Sequence, residues 1–126
     1  MGLNLVDNTN YGFVGEKVGT FTPNFTPASG SHLNVKQIGN IVYLSGVLII
    51  DGTWADITNN HLGDITGVDY PAMFSNMPVI SYSDNLNDLH NGNIAMAHGG
   101  NNSTYIGKNL TGTDKVLAVN GFYFTA

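Results

Sequence analysis

Leu33-Asn34-Val35-Lys36-Gln37-Ile38-Gly39-Asn40-Ile41-Val42-Tyr43-Leu44-Ser45-Gly46-Val47-Leu48-Ile49-Ile50 is the stretch that decides the fold. Two runs rich in β-branched and aromatic residues flank a Gly-Asn pair, the signature of a tight β-hairpin. Asp51-Gly52 then supplies a second turn signal. Further strands are expected at 78–83, 93–98, 103–108 and 115–125, each bounded by Gly, Asn, Asp or Thr. Helix formers are scarce and no stretch sustains a 3.6-residue apolar period. The one helical turn expected is Tyr70-Pro71-Ala72-Met73-Phe74, with Pro at its first position. The pattern predicts an all-β domain, a small antiparallel β-barrel or sandwich.

Two strands carry information beyond fold class. Along residues 41–50 one face shows Val42, Leu44, Leu48 and Ile50, and the other Ile41, Tyr43, Val47 and Ile49. The last strand sets Val116, Ala118, Phe122 and Phe124 against Leu117, Val119 and Tyr123. A half-exposed antiparallel strand normally alternates apolar with polar. A second apolar face needs a cover, and a symmetric homo-oligomer supplies one on every copy. The other solution is a closed barrel with loops folded over it.

The chain has 126 residues, enough for one domain. Residues 1–30 lack periodicity and read as an extended arm or neck remnant packed through Phe13, Phe21 and Phe25, followed by a head over 31–126. With no Cys, disulfides and thiolate metal sites are excluded. The longest apolar run, 47–50, is far short of the roughly 18 residues a membrane-spanning helix needs, so no membrane partner is expected. Residues 1–20 carry no secretory signal pattern. A net charge of −5, from nine acids against four Lys and no Arg, argues against nucleic acid as a partner. The polar surface falls to Asn, Thr, Ser and Gly, neutral donors and acceptors that suit hydroxyl-bearing ligands and equally suit the turns of any loop-rich β-protein.

Chemistry-bearing signals are weak. No Gly-x-Ser-x-Gly elbow is present, and the Asp residues fall at turn positions, so an enzyme is not expected. His32, His61, His90 and His98 show no metal-ligand spacing, and residues 84–88 fit a calcium loop in composition only, so no metal or cofactor is expected. The lone Trp54, in a Gly- and Asp-rich turn, reads either as core or as a platform for the apolar face of a pyranose. On the second reading the ligand-binding candidates are Trp54, Asp56 and His61, joined by Asp88, His98 and Asn101 from later loops. Trp54→Ala is then expected to weaken ligand binding without unfolding the chain.

Residues 39–46 (Gly39-Asn40-Ile41-Val42-Tyr43-Leu44-Ser45-Gly46), then Trp54, the prolines at 71 and 78, residues 92–96 and the closing Val119-Asn120-Gly121-Phe122-Tyr123-Phe124-Thr125 form a further pattern. It resembles the C-terminal head of phage tail-fibre receptor-binding proteins, especially of phages infecting Gram-positive hosts, over residues 30–126. The resemblance implies a homotrimer of β-barrel heads at the virion tail tip. Its implied partners are other tail or baseplate proteins and host cell-wall polysaccharide or another surface glycan. It also implies a site near subunit boundaries, for which Trp54, Asp56, His61 and His98 are the available residues. The lack of Arg departs from heads that place Arg on the ligand. A carbohydrate-binding module and a purely structural fibre module remain as alternatives.

Overall fold

The computed structural model describes residues 16–73, 75–83, 87–96, 102–107 and 113–125. The described residues form eight strands: β1 (Lys17–Pro23), β2 (His32–Ile38), β3 (Ile41–Ile49), β4 (His61–Thr66), β5 (Ser75–Tyr82), β6 (His90–Met96), β7 (Asn102–Ile106) and β8 (Val116–Phe124). They close into one antiparallel barrel in the order β1-β2-β3-β8-β5-β6-β7-β4. Closure was one of the two architectures the turn spacing allowed. Among the described residues no helix is long and apolar enough to cross a membrane.

The Gly39-Asn40 hairpin forms where expected, pairing Ile38 with Ile41, with Gly39 at φ +61. The β3 ladder continues onto β8 from Ile41↔Phe124 to Ile49↔Val116. Period-2 alternation then sorts the side chains. Val42, Leu44 and Leu48 of β3 and Leu117, Val119 and Tyr123 of β8 point inward and are buried. Val35, Leu62, Ile65, Met77, Val79, Ile94, Met96 and Ile106 complete the core from the other strands.

Two expectations are revised. Residues 17–23, placed by sequence within an arm, are a barrel strand paired to β2 through Val18↔Lys36 and to β4 through Phe21↔Ile65. Its inward positions are Gly19, Phe21 and Pro23, too few apolar residues to give an alternation signal. Gly19 is required there, because a Cβ would stand 2.7 Å from Val35 Cγ1 and 2.9 Å from the Thr66 carbonyl oxygen. The rest of the proposed arm up to residue 15, including Phe13, lies outside the described residues. The turn at Tyr70–Met73 is not helical: Pro71 bridges Thr125, and the Ala72 amide donates to the Phe124 carbonyl at 2.9 Å. The chain there is held along the end of β8 instead of coiling on itself. The short helical turns lie elsewhere, as 3-10 turns at Trp54–Asp56 and Thr58–Asn60.

A polar lock closes the hairpin end. Buried Gln37 donates through Nε2 to the Gly39 carbonyl (2.8 Å) and to Asp69 Oδ2 (2.9 Å), and its Oε1 accepts from the Asp69 amide (2.9 Å). Lys17 Nζ donates to Asp69 Oδ1 at 2.9 Å, and the Tyr123 hydroxyl to the Asp69 carbonyl at 2.7 Å. The Gln37 amide first, then the Lys17 ammonium, hold the Asp69 carboxyl below its ordinary value.

Candidate functional site

Trp54, Asp56, His61 and Asp88 all stand at one rim, where β3 ends and β4, β6 and β8 begin. Convergence on one rim is what a composite loop site requires. Their roles there differ from the expectation. Trp54 is fully buried, 0% exposed, and packs edge-to-face on Phe25 with ring centroids 5.1 Å apart. Its indole is therefore core and offers no face to a sugar, which corrects the platform reading. The lone-Trp-as-core alternative is the one the fold adopts, because the turn after β3 folds inward across the barrel end. Its Nε1 has no hydrogen-bond partner among the described residues, so it holds the fold by packing.

Asp56 is exposed and its carboxylate bonds its own turn. Its Oδ2 accepts from the Thr53 amide at 3.0 Å in a capping box with Thr53. This bond stabilises the turn. His98 and Asn101 lie outside the described residues.

His61 belongs to a real polar cluster. Its Nε2 lies 3.0 Å from Asp64 Oδ1, which also accepts from Ser103 Oγ at 2.8 Å, and its ring lies 5.2 Å from that of Tyr105. Register explains the cluster, since β4 and β7 pair His61 with Tyr105 and Asp64 with Ser103. Ser103 donates to the carboxylate and not to the imidazole, so this is not the nucleophile–base–orienter relay of a hydrolase. The Ser103 hydrogen bond is the main reason the Asp64 carboxyl sits below its ordinary value; burial opposes it and His61 assists.

A second cluster was not legible in the sequence. The Asp114 side chain is buried, accepting at Oδ2 from Ser81 Oγ (2.6 Å) and His90 Nδ1 (3.0 Å). Asp88 Oδ1 flanks the other His90 nitrogen at 3.6 Å. The Asp114 carbonyl also accepts from the Trp54 amide at 3.0 Å, tying the Trp54 turn to β8. In sequence Asp114 reads as one more polar residue ending a turn; only the pairing of β5 with β6 and β8 makes it a buried acceptor. Among the described residues no group of three or more His, Cys, Asp or Glu is placed to hold a metal.

These depressed carboxyls fix the sign of the pH response. A carboxyl lowered in the folded state contributes fully above its unfolded value, and the contribution is lost as pH falls through the folded one. For Asp64 and Asp69 the melting temperature is expected to be insensitive to them above about pH 4 and to fall on further acidification. Asp64→Asn with Asp69→Asn should shallow that acid limb in a series of thermal melts; an unchanged limb assigns it to other groups.

The outer wall carries a third feature. Pro78 has no amide hydrogen, and the β5–β8 ladder runs only from Val79↔Val119 to Tyr82↔Val116. On the other side of Pro78 the two strands part, and Met77 fills the core behind them, its Cγ where a Cβ on Gly121 would come within 2.6 Å. A hollow of about 540 Å³ opens between Ser75–Pro78 and Asn120–Phe124, walled by Met73. A second, of about 490 Å³, continues from Pro78 and Asn120 over Ile80, Asn91, Gly92 and Ala118. Sequence reading missed this groove because its signal is a single Pro within a strand.

No protein-family model, curated protein or solved structure matches the chain.

Proposed function

We propose that this chain is a binding head that self-associates, and that it serves as the receptor-binding domain of a phage tail fibre, attaching to saccharide on the host surface. The observation that carries the reading is the uncovered apolar face on the barrel exterior. Ile38, Tyr43, Phe122 and Phe124 are 46%, 45%, 50% and 55% exposed. They are contiguous: Ile38 pairs with Ile41 and Ile41 with Phe124, while Tyr43 pairs with Phe122. The three aromatic rings touch in series, with centroids 6.3 Å (Tyr43–Phe122) and 5.5 Å (Phe122–Phe124) apart. Scattered apolar residues are ordinary on a surface; a contiguous aromatic patch marks an interaction site.

A closed barrel offers no free strand edge, so the face must be covered by side-chain packing, for which a rotationally symmetric homo-oligomer is the simplest arrangement. The composition rich in Asn, Thr, Ser and Gly and the phage-head sequence pattern, whose Gly39–Gly46 and Asn120–Thr125 segments fall on the β2–β3 hairpin and on β8 beside it, support the trimeric fibre head in particular.

Light scattering of the purified chain is expected to give three times the chain mass. Phe122→Asp combined with Tyr43→Asp should reduce it to one, with the melt still cooperative. Retained binding of the wild-type chain to Gram-positive cell walls completes the reading. A wild-type monomer overturns the assembly, and absence of wall binding overturns the receptor role.

A further inference from the structure

The groove beside Pro78 combines an apolar floor with an uncharged amide fringe. Pro78, Ile80 and Ala118 form the floor of the hollow nearer the rim, with Ile80 paired to Ala118 on one side and Asn91 on the other. Asn76 lines the other hollow, and Asn93, the β6 partner of Pro78, donates through Nδ2 to Asn76 Oδ1 at 3.0 Å on the exposed surface. That bond leaves the pair with amide hydrogens on both residues and the Asn93 carbonyl as acceptor. Asn120, exposed between the two hollows, lines both.

We propose that this groove binds a neutral pyranose-type saccharide, with a C–H face of the ring on Pro78, Ile80 and Ala118 and ring hydroxyls on Asn76, Asn93 and Asn120. The assignment rests on the proposed glycan-binding role and gives it a location. Three observations select the ligand. Among the described residues no charged side chain lines either hollow, so neither a phosphate nor a carboxylate finds a counter-ion from them there, and the net charge of −5 opposes an anion further. The fringe is made of amides, each both donor and acceptor, which is the complement of a hydroxyl. Each hollow falls in the roughly 300–1,000 Å³ range of small-ligand sites, with apolar lining and a few converging polar groups. Pro78 explains why the groove exists at all: an amide-bearing residue there would let β5 and β8 zip past it and close the hollow.

The test uses the full chain and a neutral hexose and N-acetylhexosamine oligosaccharide array, followed by titration of whichever oligosaccharide binds. Asn120→Ala and Asn76→Ala are each expected to weaken binding at least tenfold while leaving the melting temperature and the scattering mass unchanged. Ile80→Asp, placing a charge on the floor, is expected to abolish binding. Affinity of the wild type should not change between 50 and 500 mM salt, about a threefold change in Debye length, because no ion pair is involved. Binding that survives all three substitutions overturns the groove and leaves the glycan-binding role standing. Binding confined to anionic wall polymers and lost in salt overturns the neutral ligand. A wild type that binds no glycan overturns the role and the groove together.

Discussion

Replacing Trp54 by Ala is expected to lower the unfolding free energy by about 3–5 kcal/mol, the usual range for truncating a buried Trp. A domain of this kind has about 5–15 kcal/mol in total, so the variant should unfold at a much lower denaturant concentration. The indole is 0% exposed and sits edge-to-face on Phe25 at 5.1 Å, while its backbone amide bonds the Asp114 carbonyl. Truncation leaves a cavity at the barrel end that Phe25 and Ile57, at its margin, are poorly placed to fill. Trp54→Phe should recover much of the loss, since Nε1 bonds to no described residue and only volume is given up. Urea unfolding followed by circular dichroism decides the matter. A shift below about 1 kcal/mol would contradict the core role and return Trp54 to the surface. One practical consequence is that Trp54→Ala is unsuitable as a probe of ligand binding, since any loss of adsorption would report unfolding.

The second large effect is expected at Gly46. This residue lies in the middle of β3 at φ +154, and a Cβ there would collide with the His32 carbonyl oxygen, with Leu33 Cα only 3.0 Å away. Both obstacles are backbone of the paired strand β2, so neither can swing aside as a side-chain end would. Gly46→Ala should therefore destabilise by about 2–4 kcal/mol, combining backbone strain with overpacking. Gly39→Ala is the informative contrast. Gly39 also has positive φ, at +61, but nothing lies within 4 Å of a Cβ there, so only the left-handed backbone penalty of about 1 kcal/mol applies. Equal effects at the two positions would mean that β2 yields to the added methyl. The two glycines, one in the β2–β3 turn and one inside β3, are thus required for different reasons, the first conformational and the second also steric.

The central sheet was legible because its signals are local. Gly39-Asn40 between two apolar runs fixed the β2–β3 hairpin, and the double-faced apolar pattern of β3 and β8 corresponds to one buried and one exposed row, Leu44 and Leu48 inside, Tyr43 and Phe122 outside. What failed to show was set by long-range pairing. Strand β1 hides because Gly19 occupies an inward position for lack of space, not for hydrophobicity. Asp114 reads as a turn residue until β5 brings Ser81 beneath it and β6 brings His90 beside it. Trp54 was ambiguous for the same reason: a turn sequence says that the chain reverses, not whether its side chain faces water. In sequence Asp56 and His61 read as one candidate segment and Asp88 as part of another, and their shared rim follows from strand pairing; the groove depends on where a ladder stops, which no local pattern records.

Because the eight strands close on themselves, every sheet edge is already occupied within one chain. Under the proposed self-association, copies meeting through Tyr43, Phe122 and Phe124 would do so without sharing a backbone ladder. Their contact can form and break by side-chain packing alone, so subunits marked with different tags should exchange between preformed assemblies under conditions in which each barrel stays folded. The same closure denies unfolded or partly folded neighbours a template for strand addition.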